Sequence, residues 1–375
     1  PNALEATFQL RTPVELGLSA NETIAFDPIL AALRLDPNAS AAIALLTDEA
    51  EFFDAYGDLM PNYSDGATEI AATAIRQMQS ATSNRMAATR MQGLDEVSVW
   101  GQEIAYGVER EPPNSNAQAF RGQGFGFAGG IDGPTDNGGL FGLSLSFIAS
   151  EVDEPSRPEG EISAWFGQFN AYYATAVGPI ALDFVGGLGG GKMQSRRFVE
   201  IGDTFSASTE ADWMALEGHG SVRASTPLAI SNFFTVTPQA ALTYVGISED
   251  GYEEEGGGAA VDLAVDSLFS QRLWADVGVE FAANMHFGSQ TVVSPRVYVG
   301  YRANTLDAET ERTVAFLSTG TQFTLTDEGV GDGGPLIGIG FDATNGYSTF
   351  SLGYEGEFSD QIERHSLNAA IRFRF

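Results

Sequence analysis

The sequence predicts an all-β transmembrane barrel of twelve antiparallel strands, with an α-helix through its pore and a small, mostly helical N-terminal segment. Three observations lead to this fold class. Segments of alternating polarity run from about residue 97 to the C-terminus, short turns alternate with long acidic loops, and a long helix without a large apolar face precedes them. The composition changes at the same place: Ala, Leu, Asp and Glu are common before residue 95, and Gly, Phe, Tyr, Val and Ser after it.

The whole chain is strongly acidic and contains no cysteine. Its 375 residues include 50 acidic and 19 basic residues, which gives a net charge of −31. Such a charge repels a phosphate backbone, so we expect no nucleic-acid partner. The absence of cysteine excludes disulfides, thiolate catalysis and zinc–thiolate sites. The chain starts at Pro1 without a start methionine or a signal stretch, so we expect a processed or excised piece of a longer protein.

The N-terminal quarter is expected to contain short elements. Residues 1–22 have the pattern of short strands and a turn, and residues 24–59 that of short helices. An acidic residue followed by proline is a common helix start, so the pairs at 27–28 and 36–37 are predicted helix openings. The segment from Thr47 opens a further helix with Phe52 and Tyr56 on one face.

A long helix is predicted from Thr68 to about Met91, which is about 36 Å long at 1.5 Å per residue. It carries Ala, Ser, Thr, Asn and Gln on nearly all sides, together with Arg76, Arg85 and Arg90. A helix of this composition has no apolar face that would hold it on an ordinary core. It suits a narrow, polar and acidic tube.

The remaining chain alternates with a period of two residues. In the last segment apolar residues occupy one face from Leu367 to Phe375, whereas Arg372 and Arg374 lie on the other. A thirteenth segment, Thr313–Thr326, is assigned to an external loop, because single-chain bacterial barrels have an even number of strands. The twelve strands are predicted to begin near Val97, Ala119, Gly139, Glu161, Ile180, Ala211, Phe233, Leu273, Thr291, Pro335, Tyr347 and Leu367.

Alternation also occurs in soluble β-sandwiches, so further features are needed to choose a membrane barrel. The segments run for about 10 to 15 residues, whereas soluble strands average about 5 to 6. Their second face is rich in Gly, Ser, Asn and charged residues, as a wet lumen requires. Short turns such as VGP alternate with long acidic loops such as ISEDGYEEEGGG, which is the asymmetry of membrane barrels.

The same alternation places acidic residues on the inward faces, where the helix arginines could reach some of them. The alternative is that these acids are solvated lumen residues that tune the electrostatics of the pore. Inward glycines at 142, 187, 300 and 353 either leave room for the helix or mark barrel bends. The predicted lumen acids are Asp183, Glu217, Asp276, Glu280 and Glu355, with Glu357 as a further candidate.

Candidate chemistry is sparse, so no enzyme, metal site or cofactor is predicted. Residues 186–192 resemble a phosphate-binding loop, but Met193 stands where Ser or Thr would bind magnesium. His219, His286 and His365 are far apart, and no Ser–His–acid spacing is present. The acidic stretch at 249–255 lacks the order of a calcium loop, and we expect a solvated external loop, with weak divalent-cation binding as the alternative.

Several segments, taken in order, resemble the autotransporters, the type V secretion proteins. They are the helix end SNRMAATRMQG, the following VSVWGQ, the central AVDSLFSQRLWADVGVEF and the terminal LNAAIRFRF. The terminal Phe375, with Phe373, resembles the signal read by the outer-membrane barrel-assembly machinery; an ordinary girdle aromatic is the alternative. Members that cleave themselves in the pore usually use paired asparagines. The predicted pore helix has only one asparagine, Asn84, so we expect no such cleavage.

This resemblance implies a translocator that inserts in the cell outer membrane and secretes or displays its own N-terminal passenger at the cell surface. Its implied partners are that passenger, outer-membrane lipid and lipopolysaccharide, and the assembly machinery, and the barrel itself is expected to be monomeric. Any enzymatic activity would then lie in the passenger. A stand-alone outer-membrane channel and an outer-membrane barrel enzyme remain as alternatives. The implied division is 1–25 as the end of the passenger, 26–65 as a short helical segment, 66–95 as the pore helix and 96–375 as the barrel.

Overall fold

A computed structural model describes residues 11–61, 66–92, 97–111, 119–154, 157–288, 291–307, 310–327, 329, 331–345 and 347–374. Four N-terminal helices come first, followed by one long helix and the barrel strands. Within these ranges, no helix has both the length and the apolar character needed to span a membrane.

The N-terminal helices are α1 (Pro13–Leu16), α2 (Ala20–Leu33), α3 (Pro37–Leu45) and α4 (Glu49–Leu59). The expectation of short strands before residue 22 is therefore wrong for residues 11–22. Thr12 with Glu15, and Ser19 with Glu22, form capping boxes in which each side chain bonds the other residue's backbone amide. These bonds satisfy amides that the first turn leaves free, and they start both helices.

Proline has two different roles in this segment. Asp36 caps α3 and Pro37 is its first residue, so the predicted helix opening there is confirmed. Pro28, in contrast, lies inside α2, and the predicted opening at residues 27–28 is wrong. The capping box at Ser19 starts this helix about two turns before the predicted opening, and the helix continues through the proline.

Helix α5 (Gly66–Gln92) has 27 residues and leads into the barrel. The barrel strands are β1 (Ser98–Arg110), β2 (Phe120–Pro134), β3 (Leu140–Glu154), β4 (Arg157–Val177), β5 (Ile180–Ile201), β6 (Phe205–Ser225), β7 (Phe234–Glu249), β8 (Leu268–Ala283), β9 (Thr291–Asp307), β10 (Gly333–Thr344), β11 (Ser348–Phe358) and β12 (Ile362–Arg374). The two-residue strand Leu228–Ala229 and the strand Met285–Phe287 extend hairpins at the barrel end where β1 begins.

Each barrel strand pairs antiparallel with its neighbours in sequence, and β12 pairs with β1, from Ser98 opposite Arg374 to Arg110 opposite Ile362. This pairing closes the ring, and the prediction of twelve strands is confirmed. The lipid-facing side carries exposed apolar residues such as Phe127, Leu145 and Leu188, while the other face surrounds α5.

The two ends of the barrel differ. The segments after β2, β4 and β10 are short, whereas the segments after β7 and β9 span residues 250–267 and 308–332. The second of these contains Thr310–Phe316 and Gln322–Asp327, so the predicted external position of residues 313–326 is confirmed. These two strands join Leu263–Val265 and Tyr252–Glu253 in a separate sheet, which we call the outer sheet. Because membrane barrels have short periplasmic turns and long external loops, the outer sheet lies at the cell-surface end.

Two expected loops are largely strand. The predicted strand starts and strand lengths leave the acidic residues 151–161 and 196–210 as loops, but β4, β5 and β6 are 21, 22 and 21 residues long and take up most of them. Strands of about 9 to 11 residues suffice to cross a bilayer. The extra length therefore projects beyond the membrane at the cell-surface end, where it supports the outer sheet and the N-terminal helices.

Helices α1–α4 pack on this end, and together with the outer sheet they form what we call the cap. Their apolar side chains share a core with the outer sheet and with the top of β5. The Tyr56 hydroxyl donates to the backbone carbonyl of Glu22 at 2.6 Å and joins α4 to α2. The Asn21 side chain bonds the backbone of Thr326 in both directions, at 2.8 and 3.0 Å, and joins α2 to the outer sheet.

Candidate functional site

The candidate site is helix α5 with the lumen wall around it. Ala71, Ala74, Ile75 and Met78 have no exposed surface and belong to the barrel core. The helix therefore does have a narrow apolar face, contrary to the prediction, and this face packs on the wall made by β1–β5. Gly122 on β2 makes room for one of them, since an added Cβ there would collide with the end of the Ile70 side chain.

At its cell-surface end, α5 presents a carboxylate to two wall arginines. Glu69 contacts Arg272 of β8 at 2.7 Å and Arg364 of β12 at 2.5 Å, and it accepts a hydrogen bond from Thr73 at 3.0 Å. The Glu69 side chain is 1% exposed. Glu69 is not among the predicted residues, because the sequence pattern predicts acids on the wall and arginines on the helix.

Two helical turns after Glu69, Arg76 contacts Glu357 of β11 at 2.6 Å. Its guanidinium lies 5.8 Å from the ring centre of Trp274. Glu357 also contacts Arg364 at 2.6 Å and Arg302 at 2.7 Å. The helix residues Glu69 and Arg76 are therefore joined through shared wall groups. We call the set Glu69, Arg76, Arg272, Arg302, Glu357 and Arg364 the upper clamp.

Near the periplasmic end, Arg85 forms a bidentate pair with Asp132 at the end of β2. Its Nε donates to Oδ2 at 2.7 Å and its Nη2 to Oδ1 at 2.5 Å. Asp132 also accepts from the Tyr172 hydroxyl at 2.8 Å, and that hydroxyl accepts from the Trp100 indole at 2.8 Å. Asp132 is not among the predicted residues, because residues 132–139 consist mostly of residue types that favour turns. Arg85, Asp132, Tyr172 and Trp100 form the lower clamp.

Two predicted lumen acids are connected to the helix through other wall residues. Asp183 pairs with Arg223 at 2.7 Å, and Arg223 donates to the backbone carbonyl of Ser83 on α5 at 2.7 Å. Glu217 lies 2.9 Å from His219 and accepts from Gln168, which donates to the backbone carbonyl of Ile75 at 3.4 Å.

The other predicted residues have different positions. Asp276 pairs with Arg302 at 2.7 Å beside the upper clamp. Glu280 and Glu355 line the lumen and form no hydrogen bond or ion pair within the part of the chain that the structure describes. Phe373 is exposed on the outward face of β12, whereas the Arg90 side chain and Phe375 lie outside the described residues.

The helix does not fill the lumen. A cavity of about 250 Å³ separates it from β6–β12, opposite the wall on which it packs. Polar groups line the cavity, among them Gln79 from the helix and Arg223, Glu280, Tyr298 and Glu355 from the wall. The helix is thus held against one side of the barrel, with a polar space on the other.

Of the two interpretations of the four inward glycines, room for the helix is not what the structure shows, because wall side chains occupy the space. A Cβ at Gly142 would collide with the Tyr172 ring, and one at Gly187 would lie 2.5 Å from the His219 ring. Tyr298 covers Gly300 in the same way, and the side-chain amide of Asn368 lies 2.8–2.9 Å from the Cβ position of Gly353. Large wall side chains lie flat across the neighbouring strand at these positions, and glycine is the residue that leaves them space.

Outside the membrane-spanning strands, the ring of Tyr252 in the outer sheet stacks on Trp213 of β6 with centroids 4.3 Å apart. Burial raises the pKa of Tyr252 to about 12, so its phenol stays neutral beside the carboxylates of Glu254 and Glu249. The phosphate-loop-like residues 186–192 lie within β5, which continues as a strand to Ile201. Among the described residues, no group of three or more His, Asp or Glu could hold a metal.

Comparisons with known proteins agree with this geometry. Residues 99–357 match the family described as the autotransporter beta-domain. The translocator domain of the autotransporter NalP from Neisseria meningitidis has the same fold, with a TM-score of 0.60 and 15% identity over 84% of this chain and 98% of that one. The β-domain of the Bordetella autotransporter BrkA follows with a TM-score of 0.53 and 16% identity over 75% of this chain and 100% of that one.

The transport unit of the autotransporter AIDA-I from Escherichia coli has a TM-score of 0.50 and 12% identity, over 74% of this chain and 90% of that one. A comparison with curated protein sequences found no match. Identities of this size show the fold alone, whereas the family match covers well over half of the chain. The protein therefore belongs to the autotransporter β-domain family and is an outer-membrane translocator domain.

Proposed function

We propose that this barrel delivers an N-terminal passenger to the cell surface and that α5 afterwards stays in the pore as a plug. The observation that carries the proposal is the direction of the helix. Its first turns contact β8, β11 and β12 near their cell-surface ends, and Arg85 contacts the periplasmic end of β2. Chain that precedes α5 therefore emerges on the outside, where the cap lies.

Charge supports the idea that the helix stays in place. Both clamps contain ion pairs whose side chains are nearly inaccessible; those of Arg85 and Asp132 are 4% and 0% exposed. Removing one partner of such a buried pair typically costs about 3–5 kcal/mol, because the other charge is left without compensation. Two clamps, one near each end of the lumen, oppose both sliding and tilting of the helix.

The passenger pathway is tested by placing one epitope tag before Pro1 and, in a second protein, the same tag between Gly178 and Pro179. We expect external protease to remove the first tag from intact cells, because the chain before α5 emerges at the surface. The second tag lies in a periplasmic turn and should be cut only after the outer membrane is permeabilised. An N-terminal tag that stays protected in intact cells contradicts the proposal.

We further propose that the barrel-assembly machinery recognises the C-terminal strand, and that the barrel then lies in lipid and lipopolysaccharide. This proposal is supported by the alternation of β12, whose outward residues Leu367, Ile371 and Phe373 are exposed, and by the terminal aromatic Phe375. The sequence resemblance supplies the identity of the machinery.

Deletion of Phe375 is expected to lower the amount of folded barrel in the outer membrane several-fold, since an assembly signal acts before the fold exists. The measurement is the fraction of protein that migrates as the compact, heat-modifiable form on gels. Phe350→Ala is the matched control, because Phe350 is an outward aromatic of β11 outside the terminus. Equal folded fractions for the two variants would mean that Phe375 is only a girdle residue.

The cap is proposed to close the cell-surface end after secretion. Arg197 at the top of β5 supports this role, because it donates to the Asp58 carbonyl of α4 at 2.9 Å and to the Val261 carbonyl at 2.7 Å, and it pairs with Glu254 at 2.6 Å. One guanidinium thus ties the N-terminal helices to both the barrel and the loop that carries the outer sheet.

Arg197→Ala is expected to release the cap while the barrel stays folded. Residues 11–61 should then exchange their amide hydrogens at least about tenfold faster, since loss of a buried ion pair costs more than about 1.4 kcal/mol. Arg196→Ala is the control, because Arg196 pairs with Glu210 at 2.9 Å on the exposed surface. Unchanged amide exchange in Arg197→Ala would mean that Arg197 does not hold the cap on the barrel.

We propose finally that the barrel itself performs no catalysis. Both ring nitrogens of His219 are occupied, by Glu217 at 2.9 Å and by Asn170 at 2.6 Å. Nδ1 of His365 is bonded to the Tyr354 hydroxyl at 2.8 Å on the outward surface. Neither histidine is placed to activate a nucleophile in the lumen.

A further inference from the structure

Strand β1 differs from its neighbours on the lipid-facing side. Its one large apolar side chain there is Val99; the residues above it are Gly101, Glu103, Ala105 and Gly107. The flanking strands present large side chains instead. On β2 these are Phe125, Phe127 and Ile131, and on β12 they are Leu367, Ile371 and Phe373. A shallow groove therefore follows β1 at the seam where the barrel closes.

Glu103 lies in the middle of this groove and in the middle of the apolar band. It is opposite Phe127 of β2 and Ala369 of β12, and the same row continues to Phe147 and Leu352, both exposed and apolar. Glu103 is the fifth residue after Ser98, which is the periplasmic start of β1. At about 3.3 Å per residue and a tilt of about 40°, that places Glu103 about 13 Å into a band about 25 Å tall.

The carboxylate of Glu103 is exposed and makes no hydrogen bond or ion pair with any described residue. An ionisable group at this depth is costly in lipid and usually has a partner. The outward-facing cations whose side chains are described lie further toward the cell surface and are already paired. They are Arg121 with Glu109 at 2.6 Å, Lys192 with Asp212 at 3.1 Å and Arg196 with Glu210 at 2.9 Å.

Packing within the chain does not explain the glycines of the groove. A Cβ on Gly101 would meet nothing within 4 Å, and one on Gly107 would meet only the Gly122 carbonyl oxygen at 3.9 Å. The glycines of the lumen wall differ, since wall side chains occupy the space above them. In membranes, small residues at a surface let a second backbone approach closely.

We propose that the β1 groove binds a transmembrane segment of another protein, and that this segment carries a Lys or Arg at mid-bilayer depth which pairs with Glu103. The unpaired carboxylate specifies the charge of the partner, and the small residues admit its backbone. A second copy of this chain fits poorly. A symmetric contact brings Glu103 against Glu103, and the described cations on the outer surface lie too high and are paired.

The test uses the folded protein in phosphatidylcholine vesicles and two dansyl-labelled transmembrane peptides of Leu and Ala, one with a central Lys and one with a central Leu. Association is measured as energy transfer from the tryptophans of the barrel. We expect the Lys peptide to bind about tenfold more tightly than the Leu peptide, since polar contacts between membrane segments are worth about 1–2 kcal/mol. Glu103→Leu should abolish this preference.

Glu103→Gln is the second variant, since it keeps the shape and removes the charge, and Glu109→Gln is the control on the same face of β1. A Gly101→Leu, Gly107→Leu double variant should weaken binding of the Lys peptide with Glu103 intact. The proposal is overturned if wild type shows no preference for the Lys peptide, or if the preference survives in Glu103→Leu. It is equally overturned if sedimentation shows a dimer of the barrel that depends on Glu103. Heat-modifiable migration on gels establishes that each variant is folded.

Discussion

A barrel without residues 1–92 is expected to conduct ions in planar bilayers, whereas the whole chain should be nearly closed. Helix α5 occupies the lumen, and the space beside it is a cavity of about 250 Å³. Removing a helix about 10 Å in diameter opens a continuous aqueous path, so we expect the single-channel conductance to rise by roughly an order of magnitude. The same measurement separates a plugged translocator from a stand-alone channel.

The matched control is a deletion of residues 1–61, which removes the cap and keeps α5. If the helix is the plug, this shorter deletion should change the conductance far less than the longer one. Equal conductance in the two deletions would assign the closure to the cap. Equal conductance in the longer deletion and the whole chain would mean that α5 does not obstruct the pore.

The barrel could be predicted because its determinants are local. Alternation with period two assigns each residue to a face, and turn residues divide the strands, so the prediction of twelve strands needed no knowledge of contacts. The helix was visible for the same reason. The first turns of α1 and α2 were missed although their capping boxes, Thr12 with Glu15 and Ser19 with Glu22, are also local signals.

The clamps could not be predicted in the same way, because they depend on depth as well as on face. Glu355 and Glu357 both point inward from β11, two residues apart, and only Glu357 reaches Arg76. Depth follows from the register of the strands and from how far the helix is inserted, and neither is encoded in a single segment. Asp132 meets Arg85 for a similar reason, since the end of β2 and the end of α5 happen to lie at one height.

Glu69→Ala is expected to have the largest effect of any single substitution within α5. It leaves two buried guanidinium groups, those of Arg272 and Arg364, with one carboxylate fewer, while Arg364 keeps its contact with Glu357. Breaking a buried pair costs about 3–5 kcal/mol, so the helix should dissociate from the wall at a lower urea concentration than the barrel unfolds. The measurements are single-channel conductance and urea unfolding of the refolded protein.

Glu109→Ala is the control, because its pair with Arg121 is exposed, with side chains 42% and 67% accessible, and such pairs contribute about 0–1 kcal/mol. A second substitution separates charge from packing. Arg364→Met should be less harmful in the Glu69→Ala background than in wild type, since it removes a charge that has already lost one partner. If Glu69→Ala leaves conductance and unfolding as close to wild type as Glu109→Ala does, the upper clamp does not hold the helix. Retention would then depend on the apolar contacts of Ile70, Ile75 and Met78 with the β1–β5 wall.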